Sequence, residues 1–180
     1  MEIEQAFQDA KIRGVDICEH LDTIVELCKS SDTIVELGVR TMVSTFAFIK
    51  AKPNKLYSYD IVHPHDYRNI GQVVPDIDTV KAMALDNGVV FEFEVGSSLE
   101  ITIPKCDVLF IDTLHEYNQL KRELELHNAD VKKFIILHDT TSFPELNKAI
   151  SEFLDSSDDW EILKVYTNNN GLTILKRTSL

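Results

Sequence analysis

Apolar residues recur at spacings of three and four near the start of the chain: Ile3, Phe7 and Ala10, then Val15, Cys18, Leu21, Val25 and Cys28. That period predicts two amphipathic helical segments, broken near Gly14. From residue 33 the pattern changes to short apolar runs separated by helical ones. The runs "TIVELG" (33–38), "KLYSYDIV" (55–62), "VVFEFEV" (89–95), "DVLFID" (107–112) and "FIILHD" (134–139) read as strands. Segments 41–51, about 76–87 and 116–128 read as helices, the last with Tyr117, Leu120 and Leu124 on one face. Ser142 and Glu145 form a capping-box pattern before a helix carrying Leu146, Ala149, Ile150 and Phe153. Two final runs, "WEILKVYT" and "GLTILKR", are joined by "NNNG", which leaves no room for a crossover helix, so they are expected to pair as a hairpin.

Alternation of strand and helix predicts a parallel sheet with helices on both faces. The fold class is therefore α/β: a Rossmann-like three-layer sandwich, its seven-stranded, mostly parallel sheet closed by an antiparallel C-terminal hairpin strand. Residues 1–180 are expected to form one domain, with helical segments over 1–31 and the Rossmann-like core over 32–180. Phe46, Phe48, Phe91, Phe93, Phe110 and Phe134 read as core, and 44% apolar residues suffice to build one.

Charge narrows the partners. Thirty acids against 18 bases give a formal charge of −12, opposed to the clustered Lys and Arg that nucleic acid binding requires. A small molecule or a protein is the expected partner. Cys18, Cys28 and Cys106 form no CxxC pair, which fits reduced thiols and a cytoplasmic location. The N-terminus lacks the basic start of a secretion signal, and no apolar run approaches the ~18 residues that span a bilayer, so no membrane association is expected.

Candidate chemistry lies where strands end, because ligands of open α/β sheets bind beyond the carboxyl ends of the strands. After the first strand, Gly38 permits a sharp turn, while Thr41, Ser44, Thr45 and the next helix offer donors to an anion. Neither GxGxxG nor GxxxxGK[ST] is present, which disfavours a pyrophosphate. Asp60, 22 residues beyond Gly38, stands at the tip of the second strand, where an acid accepts hydrogen bonds from a ribose. Together these features favour a nucleoside-containing cofactor without a pyrophosphate.

The chain resembles the class I S-adenosylmethionine-dependent methyltransferases, in particular the catechol O-methyltransferase-like, cephalosporin hydroxylase-like and macrocin-type O-methyltransferases. "VELGVRTMVST" is similar to their first motif, "YSYDI" to the ribose-binding acid, "EVGSSLE" to the adenine-side segment, and "DVLFIDTLHEY" with "FIILHDT" to the strand ends that face substrate. The resemblance implies S-adenosylmethionine as cofactor. Glu36 and Gly38 would shape its loop, with Thr41 beside them, Ser44 would bind the methionine carboxylate, Asp60 the ribose, and Ser97 or Ser98 would lie against the adenine. Asp112, at the fourth strand end, would face the cofactor as well. It also implies room for Mg²⁺ on Asp112 and Asp139, with Thr140 where the family places a third ligand. Met42 replaces the loop's usual second glycine, and its side chain is expected to crowd the methionine half of the cofactor.

Removing a proton from a hydroxyl acceptor needs a base, and His115 and His138, beside the two aspartates in sequence, are the candidates. His63 and His65 lack a third ligand and read as loop residues. The implied activity is methylation of a small hydroxylated acceptor, with a homodimer completing the substrate pocket. A catalytically silent binding module of the same fold is the alternative, since Met42 and Thr140 depart from the family pattern.

Overall fold

The structure, a computed structural model, describes residues 2–13 and 17–178; the expected break at Gly14 and the helical placing of Val15 lie outside the described residues. Helices α1 (Ile3–Ile12) and α2 (Leu21–Cys28) precede β1 (Thr33–Leu37), α3 (Val43–Ala51) and β2 (Lys55–Asp60). There follow α4 (Ile77–Asp86), β3 (Val90–Val95), β4 (Cys106–Ile111), α5 (Tyr117–His127), β5 (Val131–His138) and α6 (Pro144–Asp155). The hairpin of β6 (Trp160–Tyr166) and β7 (Leu172–Arg177) ends the chain's regular structure.

The sheet runs in the order β3-β2-β1-β4-β5-β7-β6. Strands β1 to β5 are parallel, and β7 inserts antiparallel between β5 and β6, as the hairpin reading anticipates. Strand order reverses between β1 and β4, which makes their carboxyl ends the natural ligand crevice.

Period-two alternation sorts the core into two layers. Ile34, Leu56, Val108, Phe110 and Ile136 pack toward α1 to α4, whereas Val35, Leu37, Leu109, Ile111, Ile135 and Leu137 pack toward α5 and α6. Helix α3 lies between the sheet and both α1 and α2, so it has almost no polar face. Of the expected core phenylalanines, Phe46, Phe48, Phe91 and Phe110 are buried; Phe93 and Phe134 pack against the core half-buried.

Several boundaries differ from the sequence reading for local reasons. Helix α3 begins at Val43 because Met42 takes a left-handed conformation (φ 64°) at its N-cap. Ser142 does not cap α6: Phe143 is the N-cap, without a side-chain bond, and Pro144 starts the helix. The Ser142 hydroxyl instead donates to Asn170 Oδ1 at 3.1 Å. The stretch after β2 contains a 3₁₀ segment, Pro64–Ile70, where only loop was expected. Among the described residues, no helix is long and apolar enough to cross a membrane.

Gly38 (φ 89°) sits where the ends of β1 and β4 nearly touch. A β-carbon there would lie 1.9 Å from the Asp112 carbonyl oxygen. The neighbouring bond, Asp112 N–H to the Leu37 carbonyl at 2.8 Å, draws the two backbones together. Gly38→Ala combines a disfavoured φ with a backbone clash and is expected to cost more than about 2 kcal/mol, read as a fall in the urea unfolding midpoint at unchanged slope.

Candidate active site

A cavity of about 480 Å³ opens at the carboxyl ends of β1, β2 and β4, bordered by Gly38, Thr41, Ser44, Asp60, Ser97 and Asp112. Ser98, His115 and Asp139 line it too. Glu36, Thr45, His138 and Thr140 do not line it; Glu36 bonds the lining residue Ser44, and His138 lies against the lining residue Asp139.

Glu36 is the floor. Its carboxylate is fully buried and accepts from Ser44 Oγ (2.6 Å), Thr45 Oγ1 (2.9 Å) and Ser58 Oγ (2.6 Å), which ties β1 to α3 and β2. Burial pushes its pKa up to about 7, against the opposing pull of the three hydroxyls. Ser44 therefore gives its proton inward and meets the cavity through its lone pairs.

Asp60 is engaged in a similar way. One oxygen accepts from the Val39 and Arg40 N–H groups at 2.9 and 2.8 Å, the other from Val62 N–H at 3.0 Å. The acid expected for a ribose thus also pins the β1–α3 loop, keeping one unspent acceptor position.

A second buried acid was not foreseen. Glu123 on α5 accepts from Ser98 Oγ (2.5 Å), Thr113 Oγ1 (2.7 Å) and Gln119 Nε2 (2.8 Å), and burial raises its pKa. His127, one turn further, bonds the Ser98 carbonyl at 2.7 Å. The signal was present: Glu123 and His127 share the stripe of Leu120 and Leu124, where an amphipathic helix has no reason to place polar groups.

At the opposite rim four titratable side chains meet. His115 Nε2 lies 2.8 Å from Asp139 Oδ2 and 3.5 Å from Asp112 Oδ1, with its ring on Phe143. His138 Nδ1 lies 3.2 Å from Asp139 Oδ2 and 3.4 Å from Asp112 Oδ2. Successive strand residues ordinarily face opposite sides, yet His138 and Asp139 converge because Asp139 is left-handed (φ 62°). The neighbouring Asp112 and Asp139 carboxylates raise the His115 pKa to about 9. Burial pulls the His138 pKa down, but the same carboxylates outweigh it and lift the value to about 10. Burial would raise both aspartates; the histidines overcome it and hold them low. Ligand atoms of Asp112, His138 and Asp139 all lie within 4.8 Å of one another. Thr140 is not with them: its hydroxyl pairs with Thr173 at 3.0 Å in the core.

The β6–β7 turn braces this rim. The Asn169 carbonyl stands 3.3 Å from His138 Nε2, the Asn168 carbonyl 3.0 Å from His20 Nε2, and Asn168 Nδ2 donates to Glu19 at 2.8 Å. Asn169, Asn170 and Gly171 all have positive φ, and a β-carbon on Gly171 would lie 2.4 Å from the Thr141 nitrogen.

Met42 does not crowd the cavity as its sequence position implied. Its left-handed backbone turns the side chain into the core, where it is fully buried.

No protein-family model matches this sequence, and no curated protein sequence matches it. Solved structures do match. A proposed caffeoyl-CoA O-methyltransferase from Staphylococcus aureus is 17% identical with a TM-score of 0.68, covering 98% of this chain and 92% of that one. A methyltransferase from Geobacter sulfurreducens is 17% identical with a TM-score of 0.66, covering 98% and 89%. An O-methyltransferase from Bacillus cereus, solved with S-adenosylhomocysteine, is 12% identical with a TM-score of 0.65, covering 98% and 90%. Likeness at these identities establishes the fold alone, a Rossmann-like α/β sandwich shared with these structures.

Two measurements probe the site's construction. Met42→Ala is expected to cost about 2–5 kcal/mol through lost packing, and Met42→Gly less than Met42→Ala by up to about 1 kcal/mol, because glycine relieves the left-handed backbone; chemical denaturation compares the two. Both site histidines hold their protons more tightly folded than unfolded, so their stabilisation is complete below about pH 6.5 and is lost as pH rises through about 9 to 10. In EDTA, the urea midpoint is expected to fall across that window, and to fall less steeply in His115→Gln.

Proposed function

We propose that this chain is an S-adenosylmethionine-dependent methyltransferase that alkylates a hydroxyl of a small acceptor. The observation that carries the reading is the juxtaposition, at the sheet's switch point, of the Gly38 loop and Asp60 on one wall of the cavity with His115, Asp112 and Asp139 on the other. Likeness in fold to the Bacillus cereus protein solved with S-adenosylhomocysteine supports it.

When bound, S-adenosylmethionine supplies a methyl group made electrophilic by positive sulfur. Thr41 and the first-turn N–H groups of α3 would receive its carboxylate, since Ser44 directs its own proton to Glu36. Asp60 retains an acceptor for a ribose hydroxyl, and the 97–98 segment, held from behind by Glu123, would form the adenine wall. A cavity of about 480 Å³ falls in the size range of small-ligand sites and leaves modest room for an acceptor. Leu114, exposed beside His115, offers that acceptor an apolar surface.

The acceptor must lose a proton, and His115 is the histidine that lines the cavity. With both carboxylates beside it, His115 retains its own proton near neutrality. Two carboxylates this close fit a divalent cation, which would neutralise them and acidify an acceptor hydroxyl. Relief of the negative charge would leave His115 free to act as a base.

A thermal-shift titration with S-adenosylhomocysteine tests the proposal. At about 100 times Kd a ligand of the folded state adds about 2.7 kcal/mol, and for a chain of this length roughly 5–10 °C in Tm is expected. An unmoved Tm at millimolar ligand would assign the fold to a silent binding module instead.

A further inference from the structure

We infer that His138 is a metal ligand, and that with Asp112 and Asp139 it forms a mixed nitrogen–oxygen centre selective for Mn²⁺ and later divalent metals over Mg²⁺. For its purpose the inference rests on the methyltransferase reading; the geometry alone carries the site itself.

The donor set comes first. His138 Nδ1 stands 3.4 Å from Asp112 Oδ2 and 3.2 Å from Asp139 Oδ2, close to the roughly 3 Å that separates adjacent ligands around a cation bound at about 2.1 Å. His138 is wholly buried, and its other ring nitrogen faces the Asn169 carbonyl, a group that only accepts. Such a partner places a hydrogen on Nε2 and turns Nδ1 toward the two carboxylates, the usual orienting arrangement behind a metal-bound imidazole. The left-handed backbone of Asp139 brings its carboxylate to the same side as the ring that precedes it.

Neighbouring oxygens do not compete for the place. Thr140 pairs its hydroxyl with Thr173 and its carbonyl with Asn147 Nδ2 at 2.7 Å. The third position is therefore nitrogen. Mg²⁺ favours an all-oxygen octahedron and dehydrates reluctantly, whereas imidazole adds affinity along the series from Mn²⁺ to Zn²⁺. A centre with one buried imidazole and two carboxylates, open on its cavity side, suits that second group.

The test uses the full chain stripped with EDTA and no S-adenosylhomocysteine, so that its result and that of the cofactor titration are read independently. Mn²⁺ is titrated by loss of the free-ion EPR signal, with Mg²⁺ as competitor, and the loaded protein is examined by pulsed EPR for ¹⁴N coupling. Expected are a preference for Mn²⁺ over Mg²⁺ of at least about tenfold, ¹⁴N modulation in the wild type, and in His138→Asn loss of that modulation with at least about tenfold weaker Mn²⁺ binding. His115→Gln is expected to keep the modulation; its loss there would assign the nitrogen to His115 and overturn the inference. Absence of ¹⁴N coupling in the wild type, or equal affinity for the two metals, would overturn it without recourse to a variant.

Discussion

A single buried carboxylate holds the cavity's floor. Glu36 ends no strand and touches no solvent, yet Ser44, Thr45 and Ser58 all donate to it, so β1, β2 and α3 meet through one acidic group. Such a group is expensive to bury and is tolerated when its lone pairs are satisfied. With three hydroxyls in place, the chain secures a fixed relation between the strand that ends at Gly38 and the helix that starts at Val43. Glu123 repeats the device on the other side of the sheet, fastening the segments at 98 and 113 to α5. Two buried glutamates, one on each face, thus frame a crevice whose walls are mostly loop.

The floor depends on backbone proximity as well. Gly38 allows β1 to approach the Asp112 carbonyl, and Asp112 in turn carries one of the carboxylates that the histidines share. Displacing that contact would move the Gly38–Asp60 wall and the acid–imidazole rim together. The two halves of the site are coupled through the sheet itself, because β1 and β4 are hydrogen-bonded neighbours at the point where the strand order reverses.

Most of the architecture was legible because it rests on periodicity. Alternating strands and helices gave the sheet, and "NNNG" gave the closing hairpin, since each depends on local spacing. The residue types of the site were legible too, as an acid, a glycine and hydroxyls at strand ends. What sequence could not reveal was which partner each group would take. Ser44 and Asp60 read as ligand contacts, and the fold engages both internally; Ser142 read as a cap and turns to Asn170. Positive φ at Met42 and Asp139 was hidden because neither is glycine, and those two angles decide where a thioether and a carboxylate point. Glu123 and His127 were readable in principle, as polar interruptions of an apolar stripe.

The turn at 168–171 has a consequence for how the chain folds. It binds Glu19 and His20 across some 150 positions and braces His138 from behind. All five parallel strands therefore precede, in chain order, the segment that steadies the acid–imidazole rim. Residues at opposite ends of the described chain must therefore meet before the two rim histidines are fixed in place.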